Sequence, residues 1–253
     1  MFRNRLNALD VTLFDHVESL MWDADKRSLL ALHGAVADRL GEFTYLEIGS
    51  YRGGSLQALV ADERCRRIVS IDPRVEWTPA AGPWDAGFSY PENSTRAMLD
   101  ALAAVPGADV AKVAAVELST EQIAPADLER PDLCLIDGEH TFEAALRDAR
   151  FCREVLGGRG VIVFHDFSWV PAAVLRFLRE TRPARGYLLR HEVFVIELGV
   201  PTLLSDPRIR QQLWLPASLW RPLNALGGLT LLVAARRLRR RLRELRRPPV
   251  AHR

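Results

Sequence analysis

Residues 44–55 read TYLEIGSYRGGS. A short apolar run, Thr44–Ile48, stops at Gly49, and a helix-forming segment from Ser55 to Ala61 follows. A strand, a glycine turn and a helix in so few residues open a βα unit. Gly49 and Gly53 are spaced GxxxG, not the GxGxxG of dinucleotide binders. Glycine there permits a tight turn and lets a ligand approach backbone N–H groups at a helix start.

The same alternation continues outward from this unit. Downstream, apolar runs at 67–71, 110–116, 132–136 and 161–164 alternate with helical patterns at 95–104, 141–156 and 170–181. Two final strands, 187–190 and 193–198, have no helix between them and pair as an antiparallel hairpin. Upstream, Val11 to Leu40 reads as helical up to Gly41. Residues 74–94, rich in Pro, Gly, Trp and Asp, read as a long loop. Strands alternating with helices predict one α/β, doubly wound, mostly parallel seven-stranded sheet, its central strands apolar on both faces. The chain divides into an N-terminal helical extension, 1–40, the α/β domain, 41–199, and a tail, 200–253.

In such sheets ligands bind beyond the carboxyl ends of the strands. The residues there are Gly49, Asp72, Asp137 and the pair His165-Asp166. Asp72 lies about twenty residues after the glycine turn, where an acid accepts hydrogen bonds from ribose hydroxyls. Gly49 and Asp72 together favour an adenosine-containing ligand. Asp137, Glu139 and His140 crowd four residues, more than a helix cap requires, although an N-capping role alone would explain one acid. Asp137 with His165-Asp166 offers the oxygen and nitrogen donors that a divalent cation accepts.

The segments YLEIGSYRGGS and IDGEHTFEAALRDARFCREVLGGRGVIVFHDF, with the Asp72 strand end, resemble class I S-adenosylmethionine-dependent methyltransferases. Within these the chain is similar to the metal-dependent macrocin-type and cephalosporin-hydroxylase-like sugar and natural-product O-methyltransferases, over roughly 29–198. The resemblance implies a Rossmann-like fold and S-adenosylmethionine as cofactor, held by Glu47, Gly49, Ser50, Gly53, Asp72 and Ser119. It implies Mg2+ or Mn2+ at Asp137, His165 and Asp166, and His140 or Glu139 as the base. Leu118 stands where the family carries an acid near the adenine. The reaction implied is O-methylation of a sugar, glycan or small-molecule hydroxyl. The alternatives are a metal-independent enzyme using His and Glu as acid and base, or a degenerate domain acting as a membrane- or partner-binding module.

Composition constrains the rest. Of the 253 residues 48% are apolar, enough for a sizeable core, and Cys65, Cys134 and Cys152 form no CxxC pair. Reduced thiols, with no apolar leader at the N-terminus, predict a cytoplasmic location. The net charge of +2 conceals a basic tail, because residues 236–247 hold eight arginines and one glutamate. The remainder is therefore acidic, and the basic balance says nothing about the partner of the domain. Leu231, Leu238, Leu242 and Leu245 form one helical stripe among these arginines. Residues 223–247 are thus expected to meet an anionic membrane surface on the inner face of the cell membrane. A docking helix is the alternative. The arginine run lacks interleaved aromatic platforms, so no nucleic-acid partner is expected. A homo-oligomer stays open.

Overall fold

The computed structural model describes residues 1–78, 87–181, 184–216 and 218. The stretch 223–247, with its expected membrane contact, lies outside the described residues. Two helices lead in, α1 (Phe2–Asn7) and α2 (Asp23–Leu40). The βα units follow as β1 (Phe43–Ile48), α3 (Gln57–Ala61) and β2 (Cys65–Ile71). After them come β3 (Trp77–Thr78), β4 (Phe88–Ser89), α4 (Thr95–Ala103) and β5 (Val113–Val116). The second half contains β6 (Leu133–Ile136), α5 (Phe142–Val155), β7 (Gly160–Phe164), α6 (Pro171–Glu180), β8 (Arg185–Leu188), β9 (Phe194–Leu198) and α7 (Pro207–Gln212).

The main sheet has seven strands in the order β5-β2-β1-β6-β7-β9-β8. β5, β2, β1, β6 and β7 run parallel, and β9 pairs antiparallel with both β7 and β8. The sheet therefore has the doubly wound architecture and the closing hairpin that the alternating pattern predicts. Strands β1, β6, β7 and β9 are buried along their whole length, which matches the continuous apolar sequences of β6 and β7, while β1 and β9 bury Glu47 and Glu197 among apolar residues. The strand order reverses between β1 and β6, and the crevice beyond their carboxyl ends is where a ligand fits such a sheet.

Several boundaries differ from the sequence reading. The helix expected over 11–40 is a 3₁₀ turn at Val11–Phe14, then an irregular segment, then α2. Asp10 accepts a hydrogen bond from the backbone N–H of Thr12 and caps only that turn. The strand expected from Val110 begins at Val113, because Asp109 caps a 3₁₀ turn over Val110–Lys112. The first strand of the closing hairpin is Arg185–Leu188, and Leu189 instead bridges to Leu213. The stretch read as a loop over 74–94 contains the small antiparallel sheet β3–β4, too short to leave a periodic signal.

The helices carry local start signals. Thr141 caps α5 by accepting from the N–H of Ala144, and Ser94 caps α4 from Ala97. Among the described residues, no helix is long and apolar enough to cross a membrane.

Candidate active site

A cavity of about 310 Å³ opens at the switch between β1 and β6. Gly49, Asp72, Ser119, Asp137 and Glu139 line it, from five different positions in the sequence. Gly49 has φ +87°, and a Cβ there would strike the backbone carbonyl of Asp137. Glycine thus lets the β1 turn pass directly against the β6 turn, which brings the two halves of the cavity together.

On the β2 side, Asp72 is 5% exposed. Its Oδ2 accepts from the backbone N–H of Tyr51 at 2.8 Å. Its Oδ1 accepts from the N–H of Arg74 at 2.8 Å and from Asn93 Nδ2 at 3.2 Å. Arg74, whose importance the sequence did not announce, runs beneath this acid. Its guanidinium donates to the Tyr51 carbonyl at 2.7 Å and to Ser50 Oγ at 3.2 Å, and Nη1 lies 3.5 Å from Asp72. Burial pulls the Arg74 pKa down while Asp72 opposes the shift.

Three residues assigned to the cofactor lie under the cavity rather than in its wall. Glu47 is fully buried and accepts from Tyr45 Oη at 2.6 Å and from Ser55 Oγ. Burial pushes its pKa up to about 8, against the pull of those two hydroxyls, and Asp137 and Asp72 add to the rise. Ser50 Oγ pairs with Ser70 Oγ at 2.7 Å. Gly53, at φ +79°, packs against Leu102 and Met98. At the far end, Ser119 donates to Gln122, and exposed Leu118 lines the wall where an acid was expected. A buried acid nearby is Asp148 of α5, which accepts from Thr120 Oγ1 at 2.6 Å and whose pKa is raised by burial. Asp148 lies on the apolar face formed with Ala145, Ala149 and Cys152 (i, i+3, i+4 spacing), and an acid on that face is the signal that could have found it.

At the β6 and β7 ends, one ligand atom each from Asp137, His140 and Asp166 fall within 4.8 Å of one another. His140 Nε2 is 3.4 Å from Asp166 Oδ2 and 3.9 Å from Asp137 Oδ1. Both ring nitrogens of His140 are buried and lack a hydrogen-bond partner. The ring is flanked edge-on by Phe88, 5.2 Å away, and at a tilt by Trp169, 6.3 Å away. Asp166 adopts φ +48°, a conformation uncommon outside glycine and asparagine, and burial raises its pKa.

Both histidines stand against the two acids. His165, assigned to the cation, stands behind Asp137, with Nδ1 at 2.8 Å from Asp137 Oδ1 and Nε2 at 3.6 Å from Asp25 Oδ2. Burial lowers its pKa, but Asp137, Asp25 and Asp166 outweigh that and hold it well above the ordinary value. His140, assigned as base, also lies between the two acids, and His165 Nδ1 is 3.6 Å from Asp166 Oδ2 as well. Glu139 lines the cavity and accepts from Thr141 Oγ1 at 2.7 Å.

The methyltransferase-domain family model matches residues 46–167, from β1 to the turn that follows β7. Over these residues the chain is similar to a methyltransferase domain. Among solved structures, the chain resembles the O-methyltransferase NovP, with 15% identity, a TM-score of 0.53, and 68% of this chain and 80% of that one covered. It also resembles a Bacillus cereus O-methyltransferase solved in complex with SAH, with 14% identity, a TM-score of 0.50, and 78% and 89% covered. At these identities the likeness is one of fold. An uncharacterized protein of Acanthamoeba polyphaga mimivirus is 25% identical over 136 residues, 51% of this chain. The chain matches about half (55%) of that relative's length. The matched residues 46–167 include every residue that lines the cavity, and α2 and the β8–β9 turn lie outside them.

Proposed function

We propose that the chain moves the sulfonium methyl of S-adenosylmethionine to a hydroxyl of a sugar or small-molecule acceptor, with a divalent cation held by Asp137, His140 and Asp166. The observation that carries this reading is the His140 ring: two buried, unpartnered nitrogens beside two carboxylates. An unsatisfied buried polar atom is unfavourable by about 1–3 kcal/mol. Two carboxylates on the same spot also repel. A doubly charged cation answers both, and a donor set of one nitrogen and two carboxylates fits Mn2+ at least as well as Mg2+.

The roles follow from position. Asp72 would accept from the ribose hydroxyls, and the turn at Gly49 would let the cofactor lie against backbone. A sulfonium methyl is already electrophilic, so the protein's task is to aim an oxygen at it in line. A bound cation would supply a lowered pKa at the acceptor hydroxyl. Glu139, on the cavity wall, would take the proton. Phe88 and Trp169 would keep water from the His140 side.

The test is calorimetry with S-adenosylhomocysteine together with Mn2+ titration followed by electron paramagnetic resonance. Asp137→Asn and Asp166→Asn should each weaken Mn2+ binding at least about 100-fold and leave S-adenosylhomocysteine affinity within about twofold. Cofactor binding with no uptake of Mn2+ would overturn the metal reading. It would favour the alternative in which His140 and Glu139 work as a metal-free acid and base, a reading also compatible with the 3.4 Å approach of His140 to Asp166. No binding of S-adenosylhomocysteine would overturn the enzyme reading and favour a degenerate domain.

A further inference from the structure

The acid cluster is braced from a part of the chain that the matched residues 46–167 do not include. Asp25, in the first turn of α2, has no exposed surface. One side of its carboxylate accepts from the backbone N–H of Glu192 at 2.9 Å through Oδ1. Its Oδ2 pairs with His191 Nδ1 at 2.8 Å and lies 3.6 Å from His165 Nε2. His165 in turn meets Asp137 through its other nitrogen at 2.8 Å. A charged side chain with no exposed surface on an amphipathic helix is costly unless it is fully used.

Two paths lead from Asp25 to the cluster. The first runs through the His165 ring. With a carboxylate on the Nε2 side, the ring is turned so that Nδ1 faces Asp137, and an oriented carboxylate presents a chosen oxygen to the cavity. The second runs through Glu192. Its carbonyl accepts from the N–H of Phe167 at 3.0 Å, and its Oε2 accepts from the N–H of Ser168 at 2.8 Å. Those bonds pin the turn that contains Asp166, whose φ of +48° needs support from outside. Asp25 thus reaches Asp137 by one path and Asp166 by the other.

We propose that Asp25 is a positioning residue for the acid cluster: it orients Asp137 through His165 and holds the Asp166 turn through Glu192. The α2 helix is then part of the site, not an extension to it. The metal-binding consequence rests on the cation reading above; the orientation of His165 does not.

Two measurements on the full chain test this and keep the two readings apart. The first needs no metal. Long-range 1H–15N spectra of the histidine rings should show protons on both His165 nitrogens in the wild type, and Asp25→Asn should lose the Nε2 proton that faces Asp25 while keeping the Nδ1 proton at Asp137. The second is Mn2+ titration, in which Asp25→Asn should weaken binding about 10–100-fold. S-adenosylhomocysteine affinity should stay within about twofold, since Asp25 is not on the cavity wall. If Asp25→Asn does not fold, Glu192→Ala, which frees the N–H of Ser168, should weaken Mn2+ binding at least about threefold. A His165 Nε2 signal that is unchanged in Asp25→Asn overturns the proposal. So does Mn2+ affinity equal to wild type in a variant whose only change is a lower Tm. A wild-type chain that takes up no Mn2+ overturns the cation reading alone, and the spectra still decide the role of Asp25.

Discussion

Asp72 and His140 stand at the ends of neighbouring parts of the same sheet and are almost equally buried, 5% and 6% exposed. Their surroundings differ completely. Three donors from the protein reach the Asp72 carboxylate, and a buried arginine runs beneath it. The His140 ring has aromatic neighbours, two nearby acids and no hydrogen bond at either nitrogen. The half of the cavity around Asp72 is complete as folded: its charge is balanced, and its geometry is set before any ligand arrives. The acid cluster around His140, which meets the cavity through Asp137, is set in geometry but not in charge. A site that recognises a neutral ribose can be balanced in advance, whereas one that takes a cation has to stay electrostatically unfavourable without it.

Three substitutions probe this contrast. Asp72→Ala should have the largest effect, because it removes charge-assisted bonds at a ligand-facing carboxylate. Such bonds contribute about 1.5–3 kcal/mol, so S-adenosylhomocysteine affinity should fall roughly 10–150-fold. Mn2+ affinity should be unchanged. Equal losses of both ligands, read by calorimetry, would mean that the two halves are not separable.

Glu47 tests whether the Asp72 half has a titratable weak point. Its folded pKa of about 8 lies above the ordinary 4.5, chiefly because of burial. The folded state therefore holds a proton that the unfolded chain gives up. The stability from this group is full below about pH 4.5 and is lost as pH rises through about 8. Glu47→Gln, which carries no charge, should be more stable than the wild type at pH 9 and equal to it at pH 4. Chemical denaturation at the two pH values reads the difference. A constant gap at both would show that Glu47 does not titrate in this range.

The smallest expected effect is on stability at His140. In His140→Phe the two unpartnered nitrogens disappear, and the new ring remains among Phe88 and Trp169. The metal-free protein should gain about 1 kcal/mol while losing Mn2+ binding. A variant less stable than the wild type would mean that the imidazole is already satisfied in the folded chain.

The sequence made the strand-end residues legible because a parallel sheet puts chemistry at one edge, and each strand end is marked by a local change from apolar run to polar residue. Gly49, Asp72, Asp137 and Asp166 were found that way. The two histidines were harder. His140 and His165 are both beside an acid in sequence, and nothing local says that both rings meet the same two acids. Asp25 and Asp148 gave only a faint signal, an acid on a helix's apolar stripe, because their partners are distant in the chain: 167 residues separate Asp25 from Glu192.

By itself, then, the sequence determined the alternation of strands and helices, the doubly wound sheet and the residues at its carboxyl edge. Those follow from short-range hydrophobic periodicity and from glycine's freedom at the turns. Only the tertiary structure decided that both histidines gather at the same two acids, that Glu47 faces Tyr45 and Ser55 instead of the cavity, and that α2 contributes Asp25 behind the site. Those depend on side-chain direction and on packing between elements far apart in the chain. Periodicity fixes the face of an element, but not the partner that the fold brings to it.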